Sequence, residues 1–245
     1  MLNILEVSMS IFSTTAAKAD WLFKSIKYAI KLSATRRVVI RNSTIVGGIK
    51  NGCGDFRISL GEAIGKGLDL AFIYEADKLR QLDSFRNSKT NINIFDREAH
   101  FEVTDKQRSV MLWKCSATSS GTLFQDPSKF KPIGVQVTVK DLETVKKESR
   151  STLPYVYLNV VEDQLISLKV PGASPHYFDP DSYDEKDDGD NMALKCLSFL
   201  MLPGKKANLK IAEMGGGYWL LAEIEMALGA SLEIQEQLIK KRSNS

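Results

Sequence analysis

The sequence predicts an α+β fold of two similar domains, each an antiparallel sheet with two helices on one face. Three observations predict it. Residues 68–114 read as an apolar strand, a short helix and three strands in quick succession. A stretch rich in Ser, Thr, Gly and Pro, KCSATSSGTLFQDPSKFK at 114–131, falls near the middle of the 245-residue chain, and the same plan repeats after it. In both halves a helix sets basic residues away from its apolar side. The implied limits are 1–115 for the first domain, 116–131 for the linker, 132–228 for the second domain and 229–245 for a helical, basic tail.

Taken in order, residues 1–12 are apolar but lack the basic segment and small-residue cleavage site of a signal peptide, so a first strand is expected there. Ser13, Thr14 and Thr15 offer capping hydroxyls for a helix that runs to about Leu32. Its apolar side is Leu22, Phe23, Ile26 and Ile30, while Lys24, Lys27 and Lys31, at i, i+3 and i+7, form one stripe. Strands are expected at 38–40, 44–46 and 55–60, with breaks at Gly47-Gly48 and Asn51-Gly52. Residues 61–67 carry GxxxGxG without the GK[ST] ending of a phosphate loop, and read as an ordinary loop. From 74 to 87, Ala76, Leu79 and Leu82 recur at helical spacing and Phe85 closes the pattern. Residues 91–95, 99–103 and 108–113 then alternate apolar and polar, with Asp96-Arg97 and Thr104-Asp105-Lys106 as turns.

The second half begins with a strand at 133–139 and a helix at 140–152. Leu142 and Val145 face inward there, and Lys140, Lys147 and Arg150 lie on the opposite side. Strands follow at 155–160 and 164–170. The acidic run FDPDSYDEKDDGDN, 178–191, departs from the spacing of a calcium loop and reads as solvated. A short helix over 194–201 is stopped by Pro203-Gly204, strands at 207–213 and 218–225 are joined across three glycines, and Ser231 caps a terminal helix over 232–241.

Composition narrows the function. With 43% apolar and 26% charged residues the chain has material for a core, and a net charge of +3 leaves any case for nucleic acid to the distribution of charge. Cys53, Cys115 and Cys196 are odd in number, far apart and without a CxxC pair, which suits a reducing compartment and no structural metal. No run of about 18 apolar residues is present. His100 and His176 stand in different halves, and no HExxH, nucleophile elbow or Walker lysine occurs. A binding protein without a catalytic site or cofactor is the expectation.

At this point the residues resemble a family. Leu70-Ala71-Phe72-Ile73-Tyr74 leading into a short helix, Ser109-Val110-Met111-Leu112-Trp113 as a Ser-x-x-x-Trp strand, and Leu200-Met201-Leu202-Pro203-Gly204 before a later strand resemble the two-domain DNA sliding clamps. The pattern is most similar to the processivity clamp of T-even-type bacteriophages, and also to proliferating cell nuclear antigen. The resemblance implies a homotrimeric ring in an infected bacterial cytoplasm, with basic helices inside and sheet outside. It implies duplex DNA, a DNA polymerase and a clamp loader as partners, and no enzymatic activity. Lys24, Lys27, Lys31, Arg80, Lys140, Lys147 and Arg150 would face DNA, with Lys195 a further candidate from the last helix. Leu123 and Phe124 would border the partner groove beside the linker.

Departures are a slightly basic total charge, Asp77 and Asp83 on the second helix, and the tail beyond Ala230. Two other readings fit the residues: an open nucleic-acid-binding transcription cofactor using the same stripes, and a structural protein of a virus particle.

Overall fold

The computed structural model describes residues 10–61, 69–116, 124–140, 142–148, 155–161, 164–172, 175–178, 192–204, 206–226 and 229–240. The chain divides into two compact units: residues 1–47, 58–120 and 227–230 form one, and 48–57, 121–226 and 231–245 the other.

In the first unit, β1 (Ser10–Thr14) leads into α1 (Ala16–Leu32). Thr15 is the N-cap, its side-chain oxygen accepting the Lys18 N–H at 3.4 Å. Ala19, Leu22, Phe23, Ile26 and Ala29 are buried at helical spacing, and Ile30, expected with them, is only half-buried. β2 (Arg37–Arg41) and β3 (Thr44–Gly48) form a hairpin across Asn42 and Ser43, whose φ values of 45° and 61° suit the twist of a two-residue turn. β4 (Gly54–Ser59) falls mostly in the second unit. β5 (Leu70–Ile73) pairs with the other side of β2. α2 (Ala76–Asp83) passes into a 3-10 turn, Ser84–Asn87, so the helix expected over 74–87 is shorter and tightens at its end. β6 (Ile92–Asp96), β7 (His100–Thr104) and β8 (Ser109–Trp113) join β1 in a four-stranded antiparallel sheet of order β1-β6-β7-β8. Ile92, Ile94, Phe101, Val103, Val110 and Leu112 are buried from its strands, as the alternation predicts, and α1 packs on α2 and its 3-10 extension.

The second unit holds two antiparallel sheets. One contains β4, β16 (Ser231–Gln237), β15 (Gly217–Glu225), β14 (Ala207–Met214) and β9 (Lys131–Val139), in that order. The other has the order β12 (His176–Tyr177), β11 (Gln164–Lys169), β10 (Val156–Val161), β13 (Met192–Cys196) and β17 (Ile239–Lys240). α3 (Leu142–Glu148) follows β9 and buries Leu142 and Val145, as expected.

Two expected helices are strands. Over 194–201 the chain forms the end of β13 and a 3-10 turn, Phe199–Met201, so the second unit has one α-helix among its described residues rather than two. Leu194 and Cys196 are fully buried while Lys195 is not, a period of two that β10 enforces by pairing residue for residue from Val156 to Val160. The tail is likewise not helical. Ser231–Gln237 pairs with β15 over seven positions, burying Leu232, Ile234 and Glu236 on one side. Its Leu, Glu and Gln favour helix locally, and sheet pairing overrides them. His176 lies in β12. The glycine loop from 62, most of the acidic run (179–191) and residues 149–154 lie outside the described residues.

Glu236 is fully buried and accepts hydrogen bonds from the Leu197 N–H at 2.5 Å, the Ser198 N–H at 2.9 Å, the Ser198 hydroxyl and the Cys196 thiol at 3.2 Å. Burial and then this carboxylate push the Cys196 thiol well above its usual range and the Cys53 thiol up to about 12. Beside it β4 passes against β16 without room for a side chain: a Cβ on Gly54 would lie 2.0 Å from the Gln235 carbonyl oxygen. Gly54→Ala should therefore cost about 3 kcal/mol, the upper range for overpacking, because backbone rather than a side chain must yield. A urea unfolding midpoint unchanged from wild type would contradict this packing.

Candidate nucleic-acid interface and partner groove

The first cationic surface is the outer side of α1 and α2. The stripe of Lys24, Lys27 and Lys31 forms as predicted, but two of its members are engaged. Lys24 Nζ lies 2.8 Å from Asp20, one turn earlier, and Lys27 pairs with Asp83 at the end of α2. Arg86 in the 3-10 turn joins both acids, with Nε 2.7 Å from Asp20 and Nη2 3.6 Å from Asp83. Three cations and two carboxylates thus share one cluster, which keeps one net positive charge. These pairs are partly exposed, worth roughly 0–1 kcal/mol each, so an incoming phosphate can compete for the ammonium groups.

Lys31, in the last turn of α1, is exposed and has no ion pair among the described residues. Arg80 on α2 is 82% exposed, and Asp77, 3.8 Å away, is itself 86% exposed. Such a pair constrains the guanidinium little. Asp20 and Arg86 were not singled out from sequence. Asp20 was readable as i−4 to Lys24, whereas the approach of Arg86 depends on how α2 packs on α1.

In the second unit Lys147 is exposed on the side of α3 away from Leu142 and Val145, whereas Lys140, expected in that helix, is exposed in the bend before it begins. Neighbouring Lys146 instead turns to donate to the Leu202 carbonyl. Arg150 lies outside the described residues. Lys195 is not on a helix: it sits in β13 with its ammonium 4.0 Å from the centre of the Tyr155 ring, a cation–π contact. That corrects its assignment to a basic helix face.

The linker supplies a different site, also within the second unit. Leu123 lies outside the described residues, but Phe124 is half-buried, with the Arg57 guanidinium 4.5 Å from its ring centre. Arg57 is held flat by a two-pronged bond to Glu233, at 2.8 and 2.6 Å. Next along, the buried Gln235 side chain grips the Gln125 backbone from both sides, accepting its N–H at 2.7 Å and donating to its carbonyl at 2.9 Å. Asp126 caps the turn Pro127–Lys129, accepting the Ser128 N–H at 2.9 Å, and that bond lowers its carboxyl below the usual range. Phe130 then meets Trp219 edge-on at 5.7 Å. A groove of about 280 Å³ is left between Phe124, Pro127, Phe130, Leu221 and Ile234.

Among the described residues no group of three or more His, Cys, Asp or Glu side chains could hold a metal ion, and no helix is long and apolar enough to cross a membrane.

No family model and no curated protein matches this sequence. Solved structures do. PCNA of A. fulgidus, bound to the C-terminal region of FEN-1, superposes with a TM-score of 0.60 at 10% identity over 97% of this chain and 100% of that one. The beta subunit from DNA polymerase of Streptococcus pyogenes gives 0.57 at 10% identity over 98% and 68% of the two chains. A PCNA2–PCNA3 complex from Sulfolobus tokodaii gives 0.56 at 10% identity over 93% and 98%. These likenesses run nearly end to end and meet in one architecture: the fold of this chain is that of the DNA sliding clamps.

Proposed function

We propose that the chain is a DNA sliding clamp, closing as a homotrimeric ring around duplex DNA and tethering a DNA polymerase, in a bacteriophage replication system. The observation that carries this reading is the coincidence of a clamp fold with exposed cations on or beside the helices of both units, Lys31 and Arg80 in one and Lys147, with Lys140 just before its helix, in the other. Fold alone would not suffice, since one fold hosts many functions. The phage setting rests on the sequence resemblance at Leu70–Tyr74 and Ser109–Trp113.

The chemistry suits a protein that must hold DNA and still move along it. Flexible lysines attract phosphates without reading bases, and each contact is weak and replaceable. Pairing Lys24 and Lys27 with Asp20 and Asp83 lowers the local attraction further, which favours sliding over stalling. The role needs no catalytic group. A clamp loader follows from the topology, because a closed ring must be opened to admit duplex DNA.

Self-association has its own support. β8 is an edge strand that leaves Met111 and Trp113 exposed, at 44% and 49%, and β12 is an edge carrying exposed Tyr177. A strand at the edge of a sheet is a site for pairing with another chain, and the exposed Met111 and Trp113 on the face of β8 add apolar surface beside it. Antiparallel joining of β8 in one chain to β12 in the next would cover both and leave a repeating head-to-tail contact that closes as a ring. The polymerase would engage the groove beside Phe124, whose apolar lining accepts a short apolar segment.

Light scattering on a gel-filtration column should give a mass of three chains, and Trp113→Asp should shift it to one chain with unfolding unaltered. A wild-type monomer at every concentration would favour the open nucleic-acid-binding protein, and large polydisperse particles the structural one. Separately, Lys31→Glu with Lys140→Glu and Lys147→Glu should weaken binding to duplex DNA about tenfold at low salt and flatten its salt dependence. Retention on circular but not on short linear duplex distinguishes encirclement from open-surface binding. Equal retention on both would sink the ring.

A further inference from the structure

A pocket of about 290 Å³ in the first unit lies where the segment after the 3-10 extension of α2 meets the β7–β8 turn. Residues 87–90 make one wall and 105–108 the other. The wall residues carry three cations, Lys89, Lys106 and Arg108, against one carboxylate, Asp105.

That carboxylate is already committed. Its side chain is 4% exposed, and it accepts the Gln107 and Arg108 N–H groups at 2.8 Å each and the Arg108 guanidinium at 3.2 and 2.5 Å. The remaining arm of Arg108 donates to the Ser84 carbonyl, and its guanidinium carbon stands 4.9 Å from the centre of the Phe85 ring. Burial alone would raise the Asp105 carboxyl, but Arg108 and the two backbone donors outweigh it and hold it at about 2. Asp105 and Arg108 therefore cancel one another and form a fixed floor. What is left over is Lys89 on one wall and Lys106 on the other, both exposed and neither in an ion pair among the described residues. The Ser88 hydroxyl is used within this wall, accepting the Thr90 N–H at 3.2 Å and lying 3.0 Å from the Thr90 hydroxyl, and Thr90 lines the pocket beside Lys89.

This is the reverse of the balance on α1, where the lysines of the stripe meet carboxylates. Two lysines on opposite walls of a small polar pocket, neither in an ion pair among the described residues, with a hydroxyl beside one of them, match a tetrahedral oxyanion, which offers several acceptor atoms to separate donors at once. We propose that this pocket is a phosphate-binding site, with Lys89 and Lys106 supplying the charge and the Thr90 hydroxyl a hydrogen bond. The phosphate belongs either to a nucleic-acid backbone, which would extend the proposed DNA contact beyond the helices, or to a free phosphate or nucleotide. The site itself does not depend on the ring reading.

The test is a titration of the full chain with inorganic pyrophosphate and, in a second arm, with a short DNA duplex, followed by amide NMR. Saturable shifts confined to Ser88, Lys89, Thr90, Lys106 and Gln107 under either probe are expected, with affinity at least about tenfold lower in Lys89→Gln/Lys106→Gln. Lys31→Gln/Lys140→Gln should leave the pyrophosphate response intact. If the source is a nucleic-acid backbone, the duplex moves the same amides, and the double variant lowers the slope of log affinity against log salt by about 1.8, two contacts' worth. If pyrophosphate alone moves them, the source is a free phosphate. No saturable shift from either probe, or shifts unchanged in the double variant, overturns the proposal. Both substituted lysines are exposed, so an unaltered urea midpoint is expected and separates loss of binding from loss of fold.

Discussion

A carboxylate removed from water must be hydrogen-bonded on both oxygens, and in the second unit that requirement falls on Glu236. Two backbone N–H groups, a hydroxyl and a thiol hold it. Those donors come from the last residue of β13 and the turn after it, while the acceptor comes from β16. The carboxylate is thus the point at which the two sheets of the unit are fastened. The same strand shows its other side to the linker through Gln235. One strand therefore organises the unit from within and positions Phe124 from without.

The cationic surfaces follow a second rule, which is balance rather than accumulation. Helix α1 carries a lysine stripe, yet Asp20 and Asp83 draw two of its members and Arg86 into a shared cluster. A protein that gripped DNA through a fully unpaired stripe would bind tightly and move slowly. Half-exposed ion pairs give an attraction that is present but readily exchanged. The modest net charge of +3 agrees with that design, since the charge that matters is placed rather than plentiful.

Much of this was legible in the residues because it is local. The Thr15 cap, the buried face of α1, and the alternation through β6, β7 and β8 are periodic signals that neighbouring residues carry by themselves. So was the exposed Lys147, which stands opposite Leu142 and Val145 at helical spacing. Lys195 was not. Its neighbours Leu194, Cys196 and Leu197 fit either a buried helix or a buried strand, and only β10 alongside decides for the strand.

The sequence by itself determined the repeated plan, the helix with its lysine stripe and the mixed αβ class, because hydrophobic periodicity and turn residues act within a few positions of each other. Tertiary structure decided the rest. Lys27 and Asp83 are 56 residues apart, and Arg57 and Glu233 are 176 apart, so no local pattern announces either pair. Ser231–Gln237 became a strand although its residues suit a helix, because pairing with β15 satisfies its backbone and gives Glu236 the donors it needs. Where a side chain's partner arrives from a distant segment, charge and conformation are properties of the packed chain.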